Sequence, residues 1–155
     1  MTQAVLAVDP GKLTGVVLLE WNVGDEVPQQ KLSVEVDEVN FYTTVDIAMT
    51  GWKNYEKFAV VCERFTITAQ TVRNSQAPFS LEQIGVLKHT CRMRGYKAED
   101  IKFQAPVDAK TMFPNDRIKK VGVWHKGGEG HALDATRHAL LYLVKQGWKP
   151  KVLLN

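Results

Sequence analysis

The chain has 155 residues, 45% hydrophobic and 24% charged, the make-up of a globular protein with one sizeable core, read here as one domain over residues 1–155. No apolar run reaches membrane-spanning length, the first residues lack a signal-peptide pattern, and Cys62 and Cys91 have neither metal-site spacing nor disulfide density; the expectation is a protein of a reducing cytoplasm with no membrane partner. The net charge of +3 is unevenly spread. Residues 1–60 hold four Lys/Arg against nine Asp/Glu, and residues 61–126 hold twelve against six, which suggests a basic face for a polyanion.

Ala4 to Val8 is a continuous apolar run of strand length, the pattern of a central strand covered on both faces, and Asp9 closes it. Pro10-Gly11 signals a turn into a second apolar run, Val16 to Leu19, so the two runs are expected to pair as a hairpin. Lys31 to Val36 alternates like a half-solvated third strand. Residues 38–55 fit a helix capped by Asp37, with Val39, Tyr42, Val45, Ile47, Met49 and Trp52 as its apolar positions. Phe58 to Cys62 is another buried-strand run, ended by Glu63. Residues 64–76 read as a loop. Ser80 to Gln83 resembles a capping box, followed by an apolar stripe of Leu81, Ile84, Leu87 and Cys91 up to a stop at Gly95. Ile101 to Gln104 reads as a last strand, Pro106 to Met112 as a short helix, and residues 115–126 as a basic segment.

The final helix begins near residue 130, after a Gly-Gly-Glu-Gly break, and carries Leu133, Leu140, Leu141 and Val144 at helical intervals. Positions three and four apart share a face, so His131, Asp134 and His138 point the same way. His138 reads as packed or solvated, and the two cysteines as small core residues.

Three antiparallel strands followed by strands joined through helical crossovers give an α/β fold with a mixed five-stranded sheet flanked by helices. If the strand ending at Cys62 lies parallel to the first, Asp9 and Glu63 end on neighbouring strands about 4.8 Å apart. The start of the last helix can bring Asp134 and His131 to the same rim. Clustered carboxylates repel unless a cation neutralises them, and oxygen ligands suit Mg²⁺ or Mn²⁺. Two such ions can activate a water and stabilise the leaving oxygen of a phosphodiester. Asp9 before Pro-Gly also fits a plain turn residue, and His131 a helix-start residue. Glu63, directly after five apolar residues, is costly unless paired or metal-bound.

Val-Asp-Pro-Gly-Lys-Leu-Thr-Gly (residues 8–15), Glu63 at a strand end and His-Ala-Leu-Asp-Ala (residues 131–135) resemble the RuvC-type Holliday junction resolvases, most of all their small bacteriophage branch. The resemblance implies an RNase H-like fold of the retroviral integrase superfamily. It also implies a homodimeric endonuclease that makes paired nicks in four-way DNA junctions with Mg²⁺ or Mn²⁺, two ions per site, in a bacterial cell or phage-infected host. Asp9, Glu63 and Asp134 match the family's metal-binding carboxylates. His131 falls where the family has a fourth acid or, in some members, His. Arg64, Phe65 and Arg73 fall in a loop that meets the junction centre, where Phe65 can stack on an unpaired base. Lys110, Lys119 and Lys120 lie where the family has basic residues near the scissile phosphate, with no single one securely aligned.

Other readings compete. A sugar-kinase or actin-like phosphotransferase opens with a similar motif but needs a second domain and phosphate loop. A non-catalytic junction binder gains nothing from clustered acids, whereas a nuclease for forks, flaps or hybrids would use the same residues. The helix from Ser80 to Arg94 is the candidate dimer surface, with core packing the competing account of its apolar residues.

Overall fold

The structure, a computed structural model, describes residues 2–73 and 77–154. Its centre is a five-stranded sheet in the order β3-β2-β1-β4-β5, with β1 Thr2–Asp9, β2 Leu13–Asn22, β3 Gln29–Asp37, β4 Lys57–Glu63 and β5 Lys102–Gln104. β1 pairs antiparallel with β2 and parallel with β4. The expected mixed sheet is therefore present, with the hairpin where Asp-Pro-Gly requires it. β1 is the central strand because both its faces are apolar: Ala4 to Val8 are all at most 2% exposed. Burying each of its larger side chains stabilises the fold by about 1.5–3 kcal/mol.

Side chains alternate across the sheet and define two cores. Val5, Ala7, Val17, Leu19, Ala59 and Val61 face α6, His131–Lys145, which supplies Ala135, Ala139, Leu140 and Leu143. The same side carries α4, Pro106–Met112, and α5, Asn115–Val121. Leu6, Val8, Val16, Val60 and Cys62 face the opposite layer, built by α1, Glu38–Ala48, and α3, Ala77–Met93. Among the described residues no helix is long and apolar enough to cross a membrane.

Several expectations need correction. Asp37 does cap α1, accepting from the Asn40 N–H at 2.9 Å. The buried face of that helix is Phe41, Val45, Ala48 and Met49, while Val39, Tyr42 and Ile47 stand in solvent. The predicted loop contains a short helix, α2, Ala69–Arg73; residues 74–76 lie outside the described residues. α3 starts three residues before Ser80, so Ser80 is no cap. Its buried hydroxyl instead donates to the Pro10 carbonyl at 3.1 Å, tying α3 to the turn after Asp9. Leu81, assigned to the apolar stripe, is 47% exposed, and the inward face is Ser80, Gln83, Leu87, Thr90 and Cys91. The basic segment 115–126 begins with a helix, α5, that the sequence reading did not assign.

Candidate active site

One row of residues crosses the whole sheet on the α6 face. The register pairs Asp9 with Gly15, Gly15 with Glu35, and Glu63 with Gln104. Val8 pairs with Cys62, which sets Asp9 beside Glu63. Because opposed residues on paired strands project to one side, the row reads Glu35–Gly15–Asp9–Glu63–Gln104. The first turns of α6 lie across it. One carboxylate oxygen from each of Asp9, Glu63 and Asp134 can be chosen so that all lie within 4.8 Å of one another. Among the described residues this is the one such group of acidic, His or Cys side chains.

Each acid has its own partner. His131 Nδ1 lies 3.0 Å from Asp9 Oδ2, and His138 Nε2 lies 3.0 Å from Glu63 Oε2. Arg137 Nη1 donates to Asp134 Oδ1 at 2.5 Å, and Lys110 Nζ stands 3.8 Å from Asp134 Oδ2. Asp9 is the most enclosed, at 5% exposure. Burial pushes its carboxyl up to about 6; the His131 hydrogen bond opposes the rise, and the charges of Glu63 and Asp134 add to it. His131 is shifted upward by its bond to Asp9, against the effect of its own burial.

These partners do not fully offset the crowding of acids, as the raised Asp9 pKa shows. Three hard oxygen donors around an under-neutralised centre fit Mg²⁺ or Mn²⁺ better than a thiolate- or imidazole-seeking metal. His131 stands outside the carboxylate group, with Nδ1 engaged by Asp9.

The remaining residues singled out from sequence are dispersed. Phe65 is half-buried and lines the same cleft as Asp9, Glu63, His131 and Asp134; Arg64 and Arg73 are exposed. Lys110 and Asp134 line a neighbouring hollow with Asn115 and Arg137. Lys119 and Lys120 are exposed on α5 and line neither hollow. The Lys119 ammonium lies 4.6 Å from the centre of the Trp124 ring.

Backbone comparison fits this geometry to a known architecture. Thermus thermophilus RuvC in complex with a Holliday junction substrate matches with a TM-score of 0.70, over 96% of this chain and 99% of that one, at 16% identity. The chain has the RuvC fold. A second Thermus thermophilus RuvC structure matches with a TM-score of 0.68 at 15% identity, covering 94% of this chain and 97% of that one. The Fowlpox virus resolvase in complex with Holliday junction DNA matches at 0.51 and 11% identity, covering 91% and 99%. No protein-family model matches the sequence, and no curated protein does.

Within this RuvC fold, four residues around the acids escaped the sequence reading. His138 is buried, and its ring does more than pack: Nδ1 lies 2.9 Å from Gln104 Oε1 while Nε2 meets Glu63. Two oxygens face the two ring nitrogens, so a neutral ring donates to one and an imidazolium to both. Arg137 is also buried, with Nε on the Phe113 carbonyl at 2.9 Å and Nη2 on Asn115 Oδ1, so it fastens Asp134 to the α4–α5 junction. Lys12 lines the cleft, its ammonium 5.9 Å from the Phe79 ring centre. The available signal for Gln104 was its place at the end of a strand parallel to β4, the position that singled out Glu63. For His138 it was its helical spacing from Asp134.

Proposed function

We propose that the protein is a divalent-metal-dependent endonuclease that resolves four-way DNA junctions by paired symmetric nicks. The observation that carries this reading is the convergence of Asp9, Glu63 and Asp134, from three separate elements, within 4.8 Å at the sheet rim of a RuvC fold. Asp9, Glu63 and Asp134 would hold Mg²⁺ or Mn²⁺, two ions per site, which when bound supply water activation and charge stabilisation at the leaving oxygen.

The chain's own residues divide the remaining work. His131, anchored to Asp9 through Nδ1, presents Nε2 as a group to accept or deliver a proton at the reacting phosphate. His138 holds Glu63 in one orientation, and Arg137 does the same for Asp134. Lys110, beside Asp134 yet solvent-exposed, contacts the scissile phosphate. Phe65 stacks on a base opened at the junction centre. Arg64, Arg73, Lys119 and Lys120 neutralise flanking phosphates, so affinity falls with salt and carries little sequence information. A homodimer sets the spacing of two active sites and hence the pairing of nicks. A pure junction binder would gain nothing from three crowded acids.

The test is a labelled four-way junction incubated with the protein and Mg²⁺ or Mn²⁺. Symmetric, ligatable nicks are expected, with cutting abolished and binding retained in Asp9→Asn and Glu63→Gln. Near wild-type cutting by either variant would refute the assignment. Cutting of forks or flaps alone would shift it to a broader branched-DNA nuclease, and binding without cutting to a junction-binding module.

A further inference from the structure

Helix α6 begins without a cap of its own. Gly130 precedes it at φ +95° and has no side chain to offer the first N–H groups. Those groups are met from the sheet. Glu35 Oε2 accepts from the Glu129 N–H at 2.8 Å and Oε1 from the Ala132 N–H at 3.1 Å, with the His131 N–H also donating to this carboxylate. Among the described residues no Lys or Arg pairs with Glu35, and it lies outside the group of converging carboxylates. Its observed partners are the backbone of the segment that carries His131 and Asp134.

Two glycines make the arrangement possible. Gly15, directly opposite Glu35 in the β2–β3 ladder, lets the helix start come down onto the sheet: a Cβ there would stand 2.0 Å from the His131 carbonyl oxygen. Gly128 lies over the carboxylate, where a Cβ would be 2.5 Å from Glu35 Oε2. The bare strand position admits the helix, and its neighbour on β3 holds the end of that helix in place.

We propose that Glu35 is a positioning residue of the active site: a strand-borne carboxylate that caps α6 and fixes where His131 and Asp134 stand over Asp9 and Glu63. Its catalytic consequence rests on the nuclease reading above; its structural consequence does not. Glu35 never touches the reacting atoms. Losing it loosens the first turn of α6 while leaving the DNA-binding residues on other elements undisturbed.

The experiment compares wild type, Glu35→Ala, Glu35→Gln and Gly128→Ala, each at a temperature where circular dichroism shows it fully folded. Hydrogen exchange at the amides of residues 129–134 should speed up in all three variants, with the sheet amides unchanged. Mn²⁺ affinity, read by electron paramagnetic resonance, and single-turnover junction cutting should each fall by about tenfold or more, while junction Kd stays within twofold (roughly the second-shell range). Gly128→Ala reaches the same outcome with Glu35 intact, by displacing its carboxylate. Unchanged exchange in the Glu35 variants would overturn the cap. Faster exchange with full Mn²⁺ affinity and cutting rate would overturn the positioning role. Failure of the wild type to cut any junction would instead remove the nuclease reading, and exchange and Mn²⁺ affinity would then decide the proposal.

Discussion

Gly15→Ala offers a test in which the sign of the effect decides. Gly15 sits mid-sheet with an ordinary strand backbone, where alanine by itself should stabilise by about 0.5–1 kcal/mol through reduced freedom of the unfolded chain. The structure predicts the opposite. A Cβ at this position would approach the His131 carbonyl oxygen to 2.0 Å, where ordinary contact begins at 3.4 Å, so β2 and the start of α6 must separate by about 1.4 Å. Overpacking of this kind costs about 1–3 kcal/mol, which for a chain of this size lowers Tm by roughly 3–10 °C. The same displacement carries His131 and Asp134 away from Asp9 and Glu63, and a misplacement of about 1 Å can reduce a catalytic rate by about 100-fold. Gly85→Ala supplies the control: Gly85 lies inside α3 with nothing within 4 Å of an added Cβ, and alanine there should stabilise by up to about 1 kcal/mol. Calorimetry and junction cutting on both variants make the measurement. A Gly15→Ala protein at least as stable as wild type, cutting at the normal rate, would refute the close docking of α6 on β2.

Asp9 has a folded pKa of about 6 against an ordinary value of 3.8, so its ionisation destabilises the metal-free fold, negligibly below pH 4, increasingly between pH 4 and 6, and by about 3 kcal/mol above that. Asp9→Asn should therefore raise Tm in EDTA at pH 8, with the gain vanishing near pH 4; an equal gain at both pH values would contradict this origin. Added Mg²⁺ should stabilise wild type more than Asp9→Asn in the same melts. His138→Ala removes a charge-assisted bond and leaves the buried Gln104 Oε1 without its partner, so chemical denaturation should show a loss of roughly 3 kcal/mol or more, accompanied by slower cutting. Phe65→Ala should weaken cutting of intact junctions by an amount worth about 1–3 kcal/mol, and cutting of already open branched DNA by less. Equal losses on the two substrates would dismiss its stacking role.

The errors in the sequence reading share a cause. α1 is apolar around much of its circumference, and periodicity alone allows more than one stripe to face inward. Its entry directly from β3 at Asp37 selects Phe41, Val45, Ala48 and Met49 and leaves Val39, Tyr42 and Ile47 outside. Ser80 followed by Gln83 has the composition of a helix start, yet the helix begins earlier and Ser80 answers to a carbonyl seventy positions away. His138 illustrates the same limit at the site. Its helical face was legible, but its partners Glu63 and Gln104 come from two other strands.

The sequence by itself determined where the apolar runs begin and end, and therefore that Asp9 and Glu63 occupy strand termini and His131 and Asp134 the first turn of the last helix. Those are local properties, set by side-chain chemistry over a few consecutive residues. Only the tertiary structure decided that Glu35, Gly15, Asp9, Glu63 and Gln104 form one row and that α6 settles across it. Strand register and helix docking depend on contacts between segments far apart in the chain. A one-residue slip would have turned the same acids to the opposite face of the sheet.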